Sequence, residues 1–206
     1  HAAVQMMEER LAKLKGKITL KDVIAAVRTR ELTRDSAGYG QVAQLRSGTH
    51  QKLGLLWVAA TSPLTAPFVP YYLGIDDVPP EYKKHRYLLE GEASKLIDAN
   101  YRGIESTRFA FRSYKRLFYL TQEHPDRFLP EVTEAFEAFE SKLIARQEAV
   151  ERTALTLYEA KKEKLAADYL TYYCFTEAMN ALRLGDALAE SIEARTKVID
   201  GIRQPR

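Results

Sequence analysis

Along most of this chain apolar residues return every three or four positions, the spacing that keeps one face of an α-helix hydrophobic. Val4, Met7, Leu11 and Leu14 outline a first helix over residues 4–14, closed before Gly16. Thr19 is placed as the N-cap of a second, over residues 20–30, with Val23, Ile24 and Val27 on one face. The rhythm resumes at residue 90. Leu96, Ile97, Ile104, Phe111, Leu117 and Phe118 predict one helix or a broken pair over 92–122, which His124-Pro125-Asp126 interrupts. A long helix follows with Pro130 near its first turn, where a missing N–H costs nothing. Val132, Phe136, Phe139, Leu143, Val150 and Leu157 then alternate by fours and threes, with Arg146 and Thr153 as polar interruptions. This is a coiled-coil-like seam of about four heptads. Its antiparallel partner is expected over 165–192, where Leu165, Tyr169, Tyr172, Met179, Leu182 and Leu188 recur.

Residues 41–74 break the pattern. Two apolar runs, 42–45 and 53–59, flank the turn-forming Ser47-Gly48-Thr49 and predict a β-hairpin or two neighbouring strands. The second run is almost continuously apolar, which predicts burial on both faces. Residues 62–72 then alternate prolines with aromatics. Because proline fixes φ and lacks an N–H, this piece is expected to leave the sheet and wrap over the rest. The fold class is therefore α+β, in one domain or the C-terminal part of one: helices over 1–40, strands and the proline–aromatic segment over 41–75, helices over 90–195.

Composition narrows the function classes. The chain has 206 residues, 46% of them hydrophobic and 29% charged, which fits a globular fold and excludes overall disorder. A net charge of +3, with Lys and Arg interleaved with Glu, leaves no nucleic-acid footprint. No run approaches the length of a membrane span. The lone cysteine, Cys174, excludes an internal disulfide.

The order VAQLR, GLLWVA, SPLTAPFVPYYLG and Pro79-Pro80-Glu81-Tyr82, continuing through Ser106-Thr107-Arg108-Phe109-Ala110-Phe111-Arg112 to Leu170-Thr171-Tyr172-Tyr173, resembles the C-terminal half of the peptidase family C69 dipeptidases over roughly residues 17–195. These are N-terminal-nucleophile (Ntn) hydrolases related to the choloylglycine hydrolases. The resemblance implies an αββα sandwich and hydrolysis of amide bonds in dipeptides or small peptides by a cysteine at a mature N-terminus. This chain begins His1-Ala2-Ala3-Val4. The resemblance thus implies a partner, an N-terminal portion or subunit carrying the nucleophile, without which this chain is inactive. It implies no cofactor and no metal. Two alternatives stand beside it: a non-catalytic helical scaffold, and an Ntn amidase acting on non-peptide amides.

Candidate chemistry is sparse. Cys174 sits mid-helix with no cation or base within a turn, which predicts a buried, inert thiol. His1, His50, His85 and His124 are scattered and form no metal-binding array. Asp76-Asp77 lacks the spacing of a calcium loop and reads as a turn. Lys83-Lys84-His85-Arg86 is the densest basic cluster and reads as a solvated face. Arg46 ends a strand beside a glycine turn, where a fixed guanidinium suits either a salt bridge or a substrate carboxylate held at two points. Trp57, Phe68, Tyr71 and Tyr72 suit either the core or the wall of a cleft. Arg46, Trp57, Tyr71 and Tyr72 are accordingly the expected substrate contacts.

Overall fold

The computed structural model describes residues 2–83 and 109–200. Helix α1 spans Ala2–Ala12 and α2 spans Leu20–Val27. At the start of α2 the Thr19 hydroxyl accepts from the Asp22 N–H, while the Asp22 carboxylate accepts from the Thr19 N–H at 2.8 Å. This reciprocal cap satisfies two donors that a helix start otherwise leaves open. The helix stops at Val27 rather than at residue 30. Arg28 is its C-cap, and the Arg28 side chain turns inward to a buried carboxylate.

Three strands follow: β1 (Gly40–Gln44), β2 (Leu55–Ala59) and β3 (Val69–Tyr72), hydrogen-bonded antiparallel in the order β1-β2-β3. Gly40 lies opposite Ala59 and Gln44 opposite Leu55, so the first two strands pair as the sequence pattern predicts. Their connection contains Gly48 at φ +74, a left-handed position open to glycine, and a 3₁₀ turn over Gln51–Leu53. That turn shortens the second run, and Leu45 falls outside β1, 92% exposed.

Two expectations are corrected here. The proline–aromatic piece does not leave the sheet for good: residues 61–68 wrap through the interior, and Val69–Tyr72 then returns as β3, with Pro70 opposite Trp57. An edge strand tolerates proline because an N–H that points away from the ladder is no loss. Nor is β2 sealed on both faces. Leu55, Trp57 and Ala59 are buried with Val42 and Tyr72, but Leu56 and Val58 on the other face are only half-buried. The sheet has one closed face and one partly open face.

The closed face rests on α2 and a helical hairpin. Short α3 (Pro80–Lys83) and α4 (Ala110–Gln122) precede this hairpin, which is made of α5 (Pro125–Glu159) and α6 (Glu163–Asp200). Between its helices Lys161 takes a positive φ of 58, and the Lys161 and Lys162 N–H groups bond back to Tyr158 and Leu157, closing α5 with a left-handed cap. Helix α5 starts at Pro125, within the stretch expected to interrupt the helices, and Pro130 therefore lies inside it rather than near its first turn. The proline forgoes a bond to the Asp126 carbonyl, and the fully buried Phe128, Val132 and Phe136 on either side hold the helix in register.

The α6 face also differs from expectation. Leu165 and Tyr172 point outward, 51% and 73% exposed, whereas Ala166, Leu170, Cys174, Ala178, Ala181 and Leu182 are fully buried. Small side chains let α6 approach closely, so the seam follows alanines rather than the largest apolar residues. One core joins the closed face of the sheet to the hairpin, and a second packs Leu117, Phe128, Val132, Phe136, Ala189 and Ile192 between α4, α5 and α6. The helix expected over 92–122 is described only from residue 109; its Leu96, Ile97 and Ile104 lie outside the described residues.

Candidate functional site

The four expected substrate contacts do not converge. At the end of β1, the Arg46 guanidinium donates to Glu151 of α5 and, at 2.8 Å, to the Leu53 carbonyl. Glu151 also accepts from the Tyr72 hydroxyl at 3.3 Å and from Gln147 at 2.8 Å, and Gln147 donates to Gln44 at 2.9 Å. This network clamps the sheet end onto the long helix. Gripping a substrate carboxylate would require Arg46 to release Glu151, so the geometry matches the salt-bridge reading. Trp57 is fully buried on the closed face, and Tyr72 points to the same side. Of the four, Tyr71 lines an open cavity.

That cavity, about 530 Å³, lies over the partly open face of the sheet. Leu56, Val58 and Ala60 form its floor, Tyr71 one side, and Ile75, Val78, Tyr82 and Phe111 the remaining wall, with Tyr39, Glu81 and Lys83 at the rim. It exists because β2 alternates. One set of side chains enters the core and the other is left facing outward, where residues 75–83 fold over it.

Behind the cavity stand two phenols that sequence reading did not single out. The Tyr82 hydroxyl donates to the Ala178 carbonyl at 2.8 Å and lies 3.0 Å from the Tyr114 hydroxyl. With Tyr82's one proton so engaged, Tyr114 is the donor between them. Tyr114 is seated against Gly185 of α6, where an added Cβ would come within 2.6 Å of the ring. Burial raises the pKa values of Tyr71, Tyr82 and Tyr114 well above the ordinary phenol range.

The second unforeseen constellation is Arg28 with Glu140. Both side chains are buried at 4% exposure. The guanidinium forks onto the carboxylate and also donates to the Pro63 carbonyl at 3.0 Å. Glu140 further accepts the Phe68 N–H at 2.8 Å. Together they pin residues 63–68 between α2 and α5. The sequence did hold a signal: Glu140 follows Val132 and Phe136 at intervals of four, and Arg28 follows Ile24 at the same interval. Each is a charge on an apolar stripe. A smaller hollow of about 270 Å³, lined by Lys21, Asp22, Glu137 and Ser141 among others, lies over this pair.

The remaining candidates have settled partners. Asp76 pairs with Lys164 and Asp77 with Lys83, and the Lys83 ammonium with the Val78 N–H holds the Asp77 carboxyl below its usual range. His50 stacks on Tyr158 at 4.4 Å. Among the described residues no group of three or more His, Cys, Asp or Glu side chains is placed to hold a metal. His1, Lys84, His85 and Arg86 lie outside the described residues. No described helix is long and apolar enough to cross a membrane.

Cys174 is buried against the sheet, and desolvation pushes its thiol up from 9.0 to about 12, although the Tyr72 N–H partly opposes this. At neutral pH that lowers the thiolate population roughly a thousandfold relative to an ordinary cysteine. A thiol-exchange reagent is therefore expected to modify Cys174 at least about a thousandfold more slowly in the folded protein than in urea. Native modification at the unfolded rate would contradict the burial.

No protein-family model, curated protein or solved structure matches the chain.

Proposed function

We propose that this chain is the C-terminal portion of an Ntn hydrolase resembling the C69 dipeptidases, completed by a portion that supplies the nucleophile and cleaving amide bonds of dipeptides or small peptides. The observation that supports this best is β1. It forms one edge of the sheet, no described residue pairs with its outer side, and its sequence Gly40-Gln41-Val42-Ala43-Gln44 contains neither charge nor proline. Natural free edges are protected by such residues, so a plain edge suits continuation by a strand from another portion. The partly open sheet face suits a second sheet layer, as the αββα sandwich implied by the resemblance requires.

In that assembly the incoming portion brings the cysteine and its α-amino base. Thiolate attack on the scissile carbonyl gives an acyl-enzyme and releases the amine, and water then regenerates the thiol. Backbone N–H groups or an Asn of the incoming portion would hold the oxyanion. This chain contributes the helical layer, a sheet edge and apolar wall.

The engagement of Arg46 with Glu151 favours a second reading within the same class, an amidase for substrates without a free carboxylate. Intact-mass analysis of protein purified from its native source tests both. A co-purifying chain with an N-terminal cysteine is expected, along with hydrolysis of dipeptides, or of N-acyl amides in preference to them. A well-behaved monomer with no second chain and no amidase activity would leave the scaffold reading in possession.

A further inference from the structure

We propose that the cavity over the partly open face of the sheet binds a small organic amine, with its apolar body against β2 and its ammonium at the rim on the Glu81 carboxylate. The site is built from residues of this chain and does not rest on the hydrolase reading.

The walls set the body of the ligand. Leu56, Val58 and Ala60 form the floor, Ile75 and Phe111 stand beside them, and about 530 Å³ lies in the range that holds a drug-sized molecule. Strand β2 is hydrogen-bonded to β1 on one side and to β3 on the other, so its outward side chains form a fixed apolar surface. Covering that surface with an aromatic or branched aliphatic group removes it from water, which is favourable in proportion to the area covered.

The rim sets the charge. Among the described lining residues two are charged, Glu81 and Lys83. The Lys83 ammonium is engaged by Asp77 at 2.6 Å. Glu81 is half-buried, and its carboxylate has no hydrogen bond or ion pair with a described residue. Counting Asp77, the mouth carries two carboxylates against one ammonium. An anionic ligand would be repelled there, and a neutral one would leave Glu81 as it stands. An ammonium gains a counter-charge. It also stays at the mouth, partly in water, while the body enters the cavity, so no charge has to be buried. The chain as a whole carries a net charge of +3, so its overall field works against a cation and any preference for one must come from the local carboxylate.

The test uses three probes on the purified full chain, with any co-purifying chain left in place. Naphthylethylamine, naphthylethanol and naphthylacetate share one apolar body and end in an ammonium, a hydroxyl and a carboxylate. Titration followed by naphthalene fluorescence at neutral pH and low salt should show saturable one-to-one binding of the amine, roughly threefold or more tighter than the alcohol, with the acetate weakest. Glu81→Gln keeps the shape of the side chain and removes its charge. It should bring the amine down to the alcohol and leave the alcohol within about twofold of its wild-type affinity. Val58→Trp, checked for folding by circular dichroism, should weaken all three by filling the floor; Ala60→Leu serves the same purpose should that variant not fold. Absence of saturable amine binding, an amine no tighter than the alcohol, a preference that survives Glu81→Gln, or unchanged binding in a folded floor variant would each overturn the proposal. Because none of the probes contains an amide, these outcomes are independent of amidase activity.

Discussion

Cooperative unfolding is expected as the pH rises above about 10, driven by buried phenols. Tyr71, Tyr72, Tyr82 and Tyr114 all have pKa values raised by burial, with nearby Glu151 adding to the effect at Tyr72. In the unfolded chain they ionise near 10, and in the folded protein they stay protonated. Above that pH the unfolded state binds fewer protons. The stability held at neutral pH is therefore intact below about 10 and drains as the pH climbs towards the folded-state values. By about pH 11 each of the four withdraws on the order of 1 kcal/mol, together several kcal/mol, a large part of the stability of an ordinary domain. Phenolate absorbance and far-ultraviolet circular dichroism, followed on one sample, give the check. A late, steep phase of phenolate formation should coincide with loss of helix. Smooth titration of all 12 tyrosines near 10 in a folded protein would refute the burial.

The largest effect of a single substitution is expected at Glu140. Glu140→Ala strands the Arg28 guanidinium in the interior and removes the acceptor of the Phe68 N–H. Breaking a buried pair from one side costs about 3–5 kcal/mol. The double variant Arg28→Met with Glu140→Leu removes both charges, and should be more stable than Glu140→Ala alone. It should not regain wild-type stability, since the Phe68 N–H and the Pro63 carbonyl still lose their partners at about 1–3 kcal/mol for a buried group. Urea unfolding of the three proteins measures this. A loss below about 1 kcal/mol in Glu140→Ala would mean that water reaches the pair.

Physical reasons separate what was legible in the sequence from what was not. The first two strands and the Thr19 cap could be read because their signals are local: β-branched and aromatic runs around a glycine turn, and a threonine three residues before an aspartate. The third strand was hidden because proline reads as an exit from a sheet, and only the pairing of Pro70 with Trp57 on an edge strand makes it acceptable. The face of α6 was misjudged because Leu165 and Tyr172 outweigh Ala166, Ala178 and Ala181 in hydrophobicity, although close packing selects the smaller side chains. Glu140 and Arg28 carry no local signal of their pairing, since their partnership spans 112 positions. Of the expected contacts, Tyr71 reaches the cavity because it shares a sheet face with Leu56, which no composition signal distinguishes from the closed face of Trp57.

The same long spans bear on the route to the folded state. The hairpin of α5 and α6 joins neighbours in sequence through a three-residue turn, so its closure entropy is small and it can form early. Glu140, by contrast, gathers Arg28 from 112 residues away and Phe68 from 72. Those bonds wait until α2 and the proline segment have docked. The Arg28–Glu140 pair is thus a latch set late, and its strength governs how slowly the finished protein opens rather than how fast it assembles.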